Sequence, residues 1–211
     1  MSRERPFTIR PYALADVRSQ RRWPRFVDPL LLSYNLTIPP GGEADYFRTR
    51  CQRENYMRWA VDDHRGRLLA VVSLREVDRA AGVARLGITV RPDRLSRGYG
   101  RRILREFLVI YFRDLGFSRM VLDVAEPNQR AIRCYQRLGF VVAGSHWQVH
   151  SGASDPSADR HYRDIESAFR RRGRVLEVRF LDMEIDPQRF LAANRDLAAA
   201  IESADGRPAT G

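Results

Sequence analysis

The sequence predicts an α/β fold of the α+β kind, with a mixed, mostly antiparallel central sheet of about seven strands flanked by helices. Three observations carry that expectation. With 211 residues, 44% of them hydrophobic, the chain can fill one good core and is short for two ordinary domains. Its first half sets β-branched apolar runs between tight turns, the pattern of an antiparallel meander. Its second half alternates strand-like and helix-like periods.

Phe7-Thr-Ile-Arg-Pro alternates apolar and polar residues and reads as the first strand. From Tyr12 to Gly42 prolines interrupt any period, which leaves room for one or two short helices. Tyr46, Phe47, Cys51 and Asn55 fall at helical spacing after Asp45, a candidate N-cap. Arg58 to Val61, the turn Asp62 to Gly66 and the apolar run Leu68 to Leu74 form a hairpin, and Ala80-Ala-Gly82 turns the chain into a further strand, Val83 to Val90. After a glycine-containing loop, Leu104, Phe107, Leu108, Tyr111 and Leu115 repeat as the stripe of a helix ended by Gly116. Met120 to Val124 is a strand; Pro127 opens a helix with Ala131, Ile132, Tyr135 and Leu138 on one face, stopped by Gly139. Phe140 to Ala143 is another strand. A polar stretch then precedes a short helix with Tyr162, Ile165 and Phe169 on one side. Val175 to Ile185 alternates as a long last strand, and Asp186-Pro187 caps an amphipathic helix. The expected organisation is one domain over 1–186 with an insert at about 147–174, a C-terminal helix over 187–205 and a disordered tail at 206–211.

Composition removes several function classes. The 37 basic residues are all arginine, against 26 acidic ones, for a net charge of +11. Without lysine there is no phosphate-loop lysine, no Schiff base and no lysine general base, nor any lysine of its own to acetylate. The arginine excess reads either as a solvated surface or as a nucleic-acid footprint; no basic run alternates with aromatics as nucleic-acid modules require, so nucleic acid is not the expected partner. The longest apolar run, Phe107 to Phe112, is far below the ~18 residues of a membrane span, and Met1-Ser-Arg-Glu-Arg-Pro lacks the apolar stretch of a secretory signal. A cytoplasmic protein without a membrane partner is expected. Cys51 and Cys134 stand far apart without a C-x-x-C partner, so reduced thiols are expected and no metal site.

The loop Arg97-Gly98-Tyr99-Gly100 lies between a strand and a helix. Glycines there let the backbone approach a ligand, and the helix start presents unpaired N–H groups, so an anion is one reading; relaxation of a tight turn is the other. Arg97, Arg101 and Arg102 add positive charge at the same point. A dinucleotide fingerprint would need glycine where Ile103 stands, and a phosphate loop would need Gly-Lys-Ser/Thr.

Val90-Arg-Pro-Asp-Arg-Leu-Ser-Arg-Gly-Tyr-Gly-Arg-Arg-Ile-Leu resembles motif A of the GCN5-related N-acetyltransferase (GNAT) superfamily, whose pattern is Gln/Arg-x-x-Gly-x-Gly/Ala after a strand. Asn128-Gln-Arg-Ala-Ile-Arg-Cys-Tyr135-Gln-Arg-Leu-Gly-Phe140 matches the second signature of that superfamily at the expected distance. The resemblance covers roughly residues 7 to 185, is strongest from Leu86 to Gly144, and is nearest to the branches acting on ribosomal-protein N-termini and on polyamines.

The resemblance implies the GNAT fold, with a splayed parallel strand pair, Arg85 to Val90 and Met120 to Val124, that admits acetyl-CoA as co-substrate. The pantetheine arm would pair with Ile88, Thr89 and Val90, whose backbone would also polarise the thioester carbonyl. The cofactor-binding set is completed by Leu95 and Ser96, by the N–H groups of Arg97, Gly98, Tyr99, Gly100 and Arg101 on the pyrophosphate, and by Asn128 and Tyr135. Leu95 replaces the family's Gln or Arg, a side-chain contact that Arg94 is placed to supply. Seven residues apart, Asn128 and Tyr135 share a helix face at roughly 10 Å along the axis. Tyr135 is implied as the catalytic general acid that protonates the leaving thiolate.

The base is left open. Many family members carry a glutamate on the motif A strand where this chain has Ala84-Arg85, so Glu76, Asp123, His146 and His150 are candidates by location alone. Direct transfer in a ternary complex needs no covalent intermediate, and Cys134 is read as a small core residue. The insert, with its run Arg170-Arg-Arg172, is either a lid over an acidic acceptor or a surface helix whose last-turn arginines oppose its dipole. The expected activity is N-acetylation of a primary amine, on a peptide or protein N-terminus or on a small molecule. A non-catalytic acyl-CoA-binding protein of the same fold and a basic nucleic-acid-binding module are the alternatives, and the sequence admits a homodimer without specifying one.

Overall fold

Leu68 to Leu74 is apolar at every position except Ser73, too apolar for a strand with one wet face. In the computed structural model, which describes residues 7–150, 155–156 and 160–197, that run lies in the middle of the sheet with helices over both faces. The strands are β1 (Phe7–Pro11), β2 (Tyr56–Asp63), β3 (Leu68–Asp78), β4 (Val83–Val90), β5 (Arg119–Ala125), β6 (Val141–Val149), β7 (Phe169–Arg172) and β8 (Val175–Ile185). Their order is β1-β2-β3-β4-β5-β8-β6, with β7 paired to the start of β8. Every neighbouring pair is antiparallel except β4 with β5, so the mixed sheet with its parallel pair is present.

Helices α1 (Leu14–Arg21) and α2 (Glu43–Tyr46) cover one face, where Val17 and Ile38 pack on Ala60 and Val71. Helices α3 (Tyr99–Val109), α4 (Gln129–Gln136) and α5 (Pro187–Ala193) cover the other. The predicted stripe of α3 is the centre of that core: Leu104, Phe107, Leu108 and Tyr111 are fully buried against Ala70, Val72, Leu86 and Met120. Each large apolar side chain so removed from water contributes about 1.5–3 kcal/mol. Gly139 ends the turn after α4 at φ +106°, and a Cβ there would stand 2.6 Å from the carbonyl oxygen of Arg189, so glycine is what lets α5 close against α4.

The structure departs from the sequence reading in several places. Among the described residues there are eight strands where about seven are expected, because Arg170–Arg172 extends along β8 through a turn at Gly173 instead of closing a helix. Trp147–Val149, assigned to the insert, continue β6, and the helical part of the insert is a 3-10 segment over Arg160–Ala168. Asp45 lies inside α2, whose N-cap is Gly42; Asn128, not Pro127, sets the start of α4 by accepting the Ala131 N–H. Of the predicted C-terminal helix, Pro187–Ala193 and a 3-10 turn at Arg195–Leu197 fall within the described residues, while Ile201 and the tail lie outside them. Among the described residues no helix is long and apolar enough to cross a membrane.

Candidate active site

Strands β4 and β5 pair at three positions only, Val83 with Arg119, Ala84 with Met120 and Arg85 with Val121. Beyond them each strand follows its other neighbour: β4 stays in register with β3 up to Val90, and β5 with β8 up to Ala125. Sheet twist between those two halves opens a wedge, and a cavity of about 670 Å³ occupies it.

One end of the cavity is built for an anion. Gly98 caps α3 in the left-handed conformation at φ +77°, and the first bond of the helix runs from the Arg102 N–H to the Gly98 carbonyl at 3.2 Å. The N–H groups of Tyr99, Gly100 and Arg101 therefore have no carbonyl within the helix, and no side chain caps them. Arg94, Arg101 and Arg102 line the same end, and so do Arg130, Arg133 and Arg137, which project from one face of α4 and the turn after it. Among the described residues, only Arg94 of these six has a carboxylate partner, Asp93 at 3.8 Å. An uncapped helix start ringed by five unmatched guanidinium groups suits a polyanion such as the phosphates of CoA.

The predicted site residues come together here. Ile88–Val90, Leu95, Ser96, Gly98–Arg101, Asn128 and Tyr135 all line the cavity; Arg97 is exposed on the loop and does not. Asn128 accepts the Ala131 N–H at 3.2 Å as the cap of α4, which leaves its amide N–H groups available to a ligand. Tyr135 packs its ring against Phe140 at 5.6 Å. Burial, reinforced by Tyr34, Cys134 and Asp123, pushes its phenol well above the ordinary value, so it is a neutral proton donor at any physiological pH. Burial likewise raises the Cys134 thiol, against the pull of Arg101, Arg130 and Arg137.

Of the four candidate bases, Asp123 and His150 line the cavity. Glu76 sits at a bulge between β3 and β4, exposed and paired with Arg85 at 2.8 Å. His146 is held on β6 by Asp182 at 3.0 Å and by Gln148 at 2.8 Å. Asp123 is the one carboxylate among the described lining residues, and Arg85 and Arg75 hold it at 3.0 and 3.5 Å. Arg85, standing where many family members place a carboxylate, thus anchors one carried on the neighbouring strand.

Two sets of residues differ from the sequence reading. Arg170–Arg172 are not among the described lining residues of the cavity: Arg170 pairs with Glu177 at 2.5 Å and lies 4.1 Å over the Trp147 ring, Arg171 pairs with Asp155, and Arg172 approaches Glu177 at 3.5 Å. Sequence reasoning missed Phe26 to Tyr34, which roofs the far end of the cavity. Asp28 caps a 3-10 helix, Pro29–Tyr34, by accepting the Leu30 N–H at 2.9 Å, and Asn35 clamps the Phe26 backbone with bonds of 2.7 and 2.9 Å. The Asp28-Pro29 pair is a helix-start signal in the sequence, but nothing local tells that Tyr34 meets Asp123 and Tyr135. Tyr34 is 48% exposed, and desolvation together with the Asp123 charge pushes its phenol up too.

Comparison with known proteins bears on this geometry. A model of the Acetyltransferase (GNAT) family matches residues 24–140. The spermidine N(1)-acetyltransferase of Vibrio cholerae is 29% identical over 87 residues, 41% of this chain and 50% of that protein. The L-amino acid N-acyltransferase MnaT of Escherichia coli is 37% identical over 62 residues, 29% of this chain and 36% of that protein. The chain thus spans half or less of the length of these curated relatives. Among solved structures, the Vibrio cholerae spermidine N-acetyltransferase in complex with CoA and spermine superposes with a TM-score of 0.65 at 19% identity, over 88% of this chain and 98% of that one, a likeness of fold.

Proposed function

We propose, from the premise that the chain belongs to the acetyltransferase (GNAT) family, that it transfers an acetyl group from acetyl-CoA to a primary amine in a ternary complex. The observation that supports this best is the meeting, in one wedge, of an uncapped helix start with unmatched arginines, an open strand edge, a neutral half-buried tyrosine and one carboxylate among the described lining residues. Bound acetyl-CoA supplies an activated thioester. The N–H groups of Tyr99, Gly100 and Arg101 with the surrounding arginines would hold its phosphates, Ile88–Val90 would pair with its arm, and Asn128 would orient it.

The amine must be neutral to attack, and Asp123 is placed to take its proton, directly or through water. The C–N bond then forms as the C–S bond breaks, Tyr135 would give its phenolic proton to the departing sulfur, and the second proton of the acylated nitrogen would return to the Tyr135 oxygen, directly or through water. A carboxylate within the wedge favours catalysis over acyl-CoA binding alone. Replacing Tyr135 with Phe is expected to lower kcat on the order of a hundredfold with the KM for acetyl-CoA within about twofold, in steady-state release of free CoA. Unchanged turnover would remove Tyr135 from the mechanism.

A further inference from the structure

The acceptor end of the wedge has little negative charge to offer. Asp123 is already matched by Arg85 and Arg75. Of the carboxylates near it on the sheet, Glu76 pairs with Arg85, Glu184 lies 3.5 Å from both Arg119 and Arg189, and Asp182 is hydrogen-bonded to His146; none of the three is among the described lining residues. The five unmatched arginines line the same cavity. An ammonium group placed at Asp123 thus finds one shared counter-charge, and a second one on the same molecule finds no other carboxylate among the described lining residues while facing a cationic field. The walls are of another kind. Phe26 and Tyr34, with ring centroids 6.1 Å apart, and Leu30 hang from the roof; Val178 and Phe180 rise from β8. The roof is held from two sides, by Asn35 on the Phe26 backbone and by the Tyr162 hydroxyl donating to Asp28 at 2.6 Å, so these apolar surfaces are fixed in place before any acceptor arrives.

Resting on the acyl-transfer reading above, we infer that the acceptor is an amine with a single positive charge on an apolar body of about ring size, and that polyamines, the substrates named for the spermidine acetyltransferases it resembles, are rejected. The test uses the full chain with saturating acetyl-CoA and compares phenethylamine and tyramine with spermidine by CoA release. The expected result is a kcat/KM for the aromatic monoamines about a hundredfold or more above that for spermidine. Ser33, an exposed residue on the roof that lines the cavity, gives a second arm: Ser33→Asp adds an unmatched carboxylate and should narrow the preference about tenfold by improving spermidine. Use of spermidine equal to or better than the monoamines, or no use of either monoamine by protein that binds acetyl-CoA, overturns the inference. Failure of acetyl-CoA to shift the melting temperature would instead overturn the acyl-transfer reading beneath it.

Discussion

A half-buried thiol one residue from the proposed acid could pass for a nucleophile, and Cys134 shows why placement and protonation have to be read together. It lines the cavity, but burial raises its thiol, so at neutral pH almost none of it is the thiolate that reacts. Iodoacetamide at pH 7.5 should label Cys134 slowly, by peptide mass mapping, and Cys134→Ala should keep kcat within about twofold; loss of turnover in a folded variant would point to a covalent intermediate. Tyr135 shows the opposite balance, since the same burial keeps its proton in place for delivery.

Among the elements, the β2–β3 hairpin depends on a carboxylate with a clear pH signature. Partial burial of Asp63 works to raise its pKa, but the N–H groups of Arg65 and Arg67, at 2.9 and 3.0 Å, and the Arg67 guanidinium outweigh it and hold the acid below its ordinary value. A depressed carboxylate stabilises the fold above its unfolded pKa, and that contribution disappears as pH falls through the folded one. Asp63→Asn should therefore cost about 1 kcal/mol at pH 7 and lose its effect below about pH 4, in paired thermal melts. The hairpin itself was legible in sequence, and so were α3 and α4 with their glycine stops, because apolar period and turn chemistry are local signals. The eighth strand was not: Phe169-Arg-Arg-Arg172 has one apolar residue, and only pairing with Leu176 and Val178 across the Gly173 turn makes it a strand. The lining around the start of α3 was readable because it comes from two short continuous motifs. The acceptor end draws on Tyr34, Asp123, His150 and Phe180, residues joined by the sheet order alone.

At the scale of the whole molecule, the net charge of +11 is unevenly used. Among the described residues, arginines outside the wedge such as Arg10, Arg67, Arg85, Arg119, Arg170 and Arg179 are paired with carboxylates, whereas five that line it are not. Acetyl-CoA at ~100 times its Kd should stabilise the protein by about 2.7 kcal/mol. Raising ionic strength from about 0.05 to 0.5 M should shrink that melting shift by weakening binding about tenfold, since exposed charges are screened within a Debye length; a salt-independent affinity in calorimetry would mean the arginines are idle. The wedge has one more consequence. Where β4 and β5 part, the interior of the sheet carries two naked strand edges, the feature by which sheets recruit stray chains and aggregate. Here the roof from Phe26 to Tyr34 and the ends of α3 and α4 line the opening, so a slim, unbranched molecule can lie along those edges while a foreign β-strand, with side chains on both faces, is turned away. The slot proposed for the acyl donor would thus also guard the sheet against its own kind.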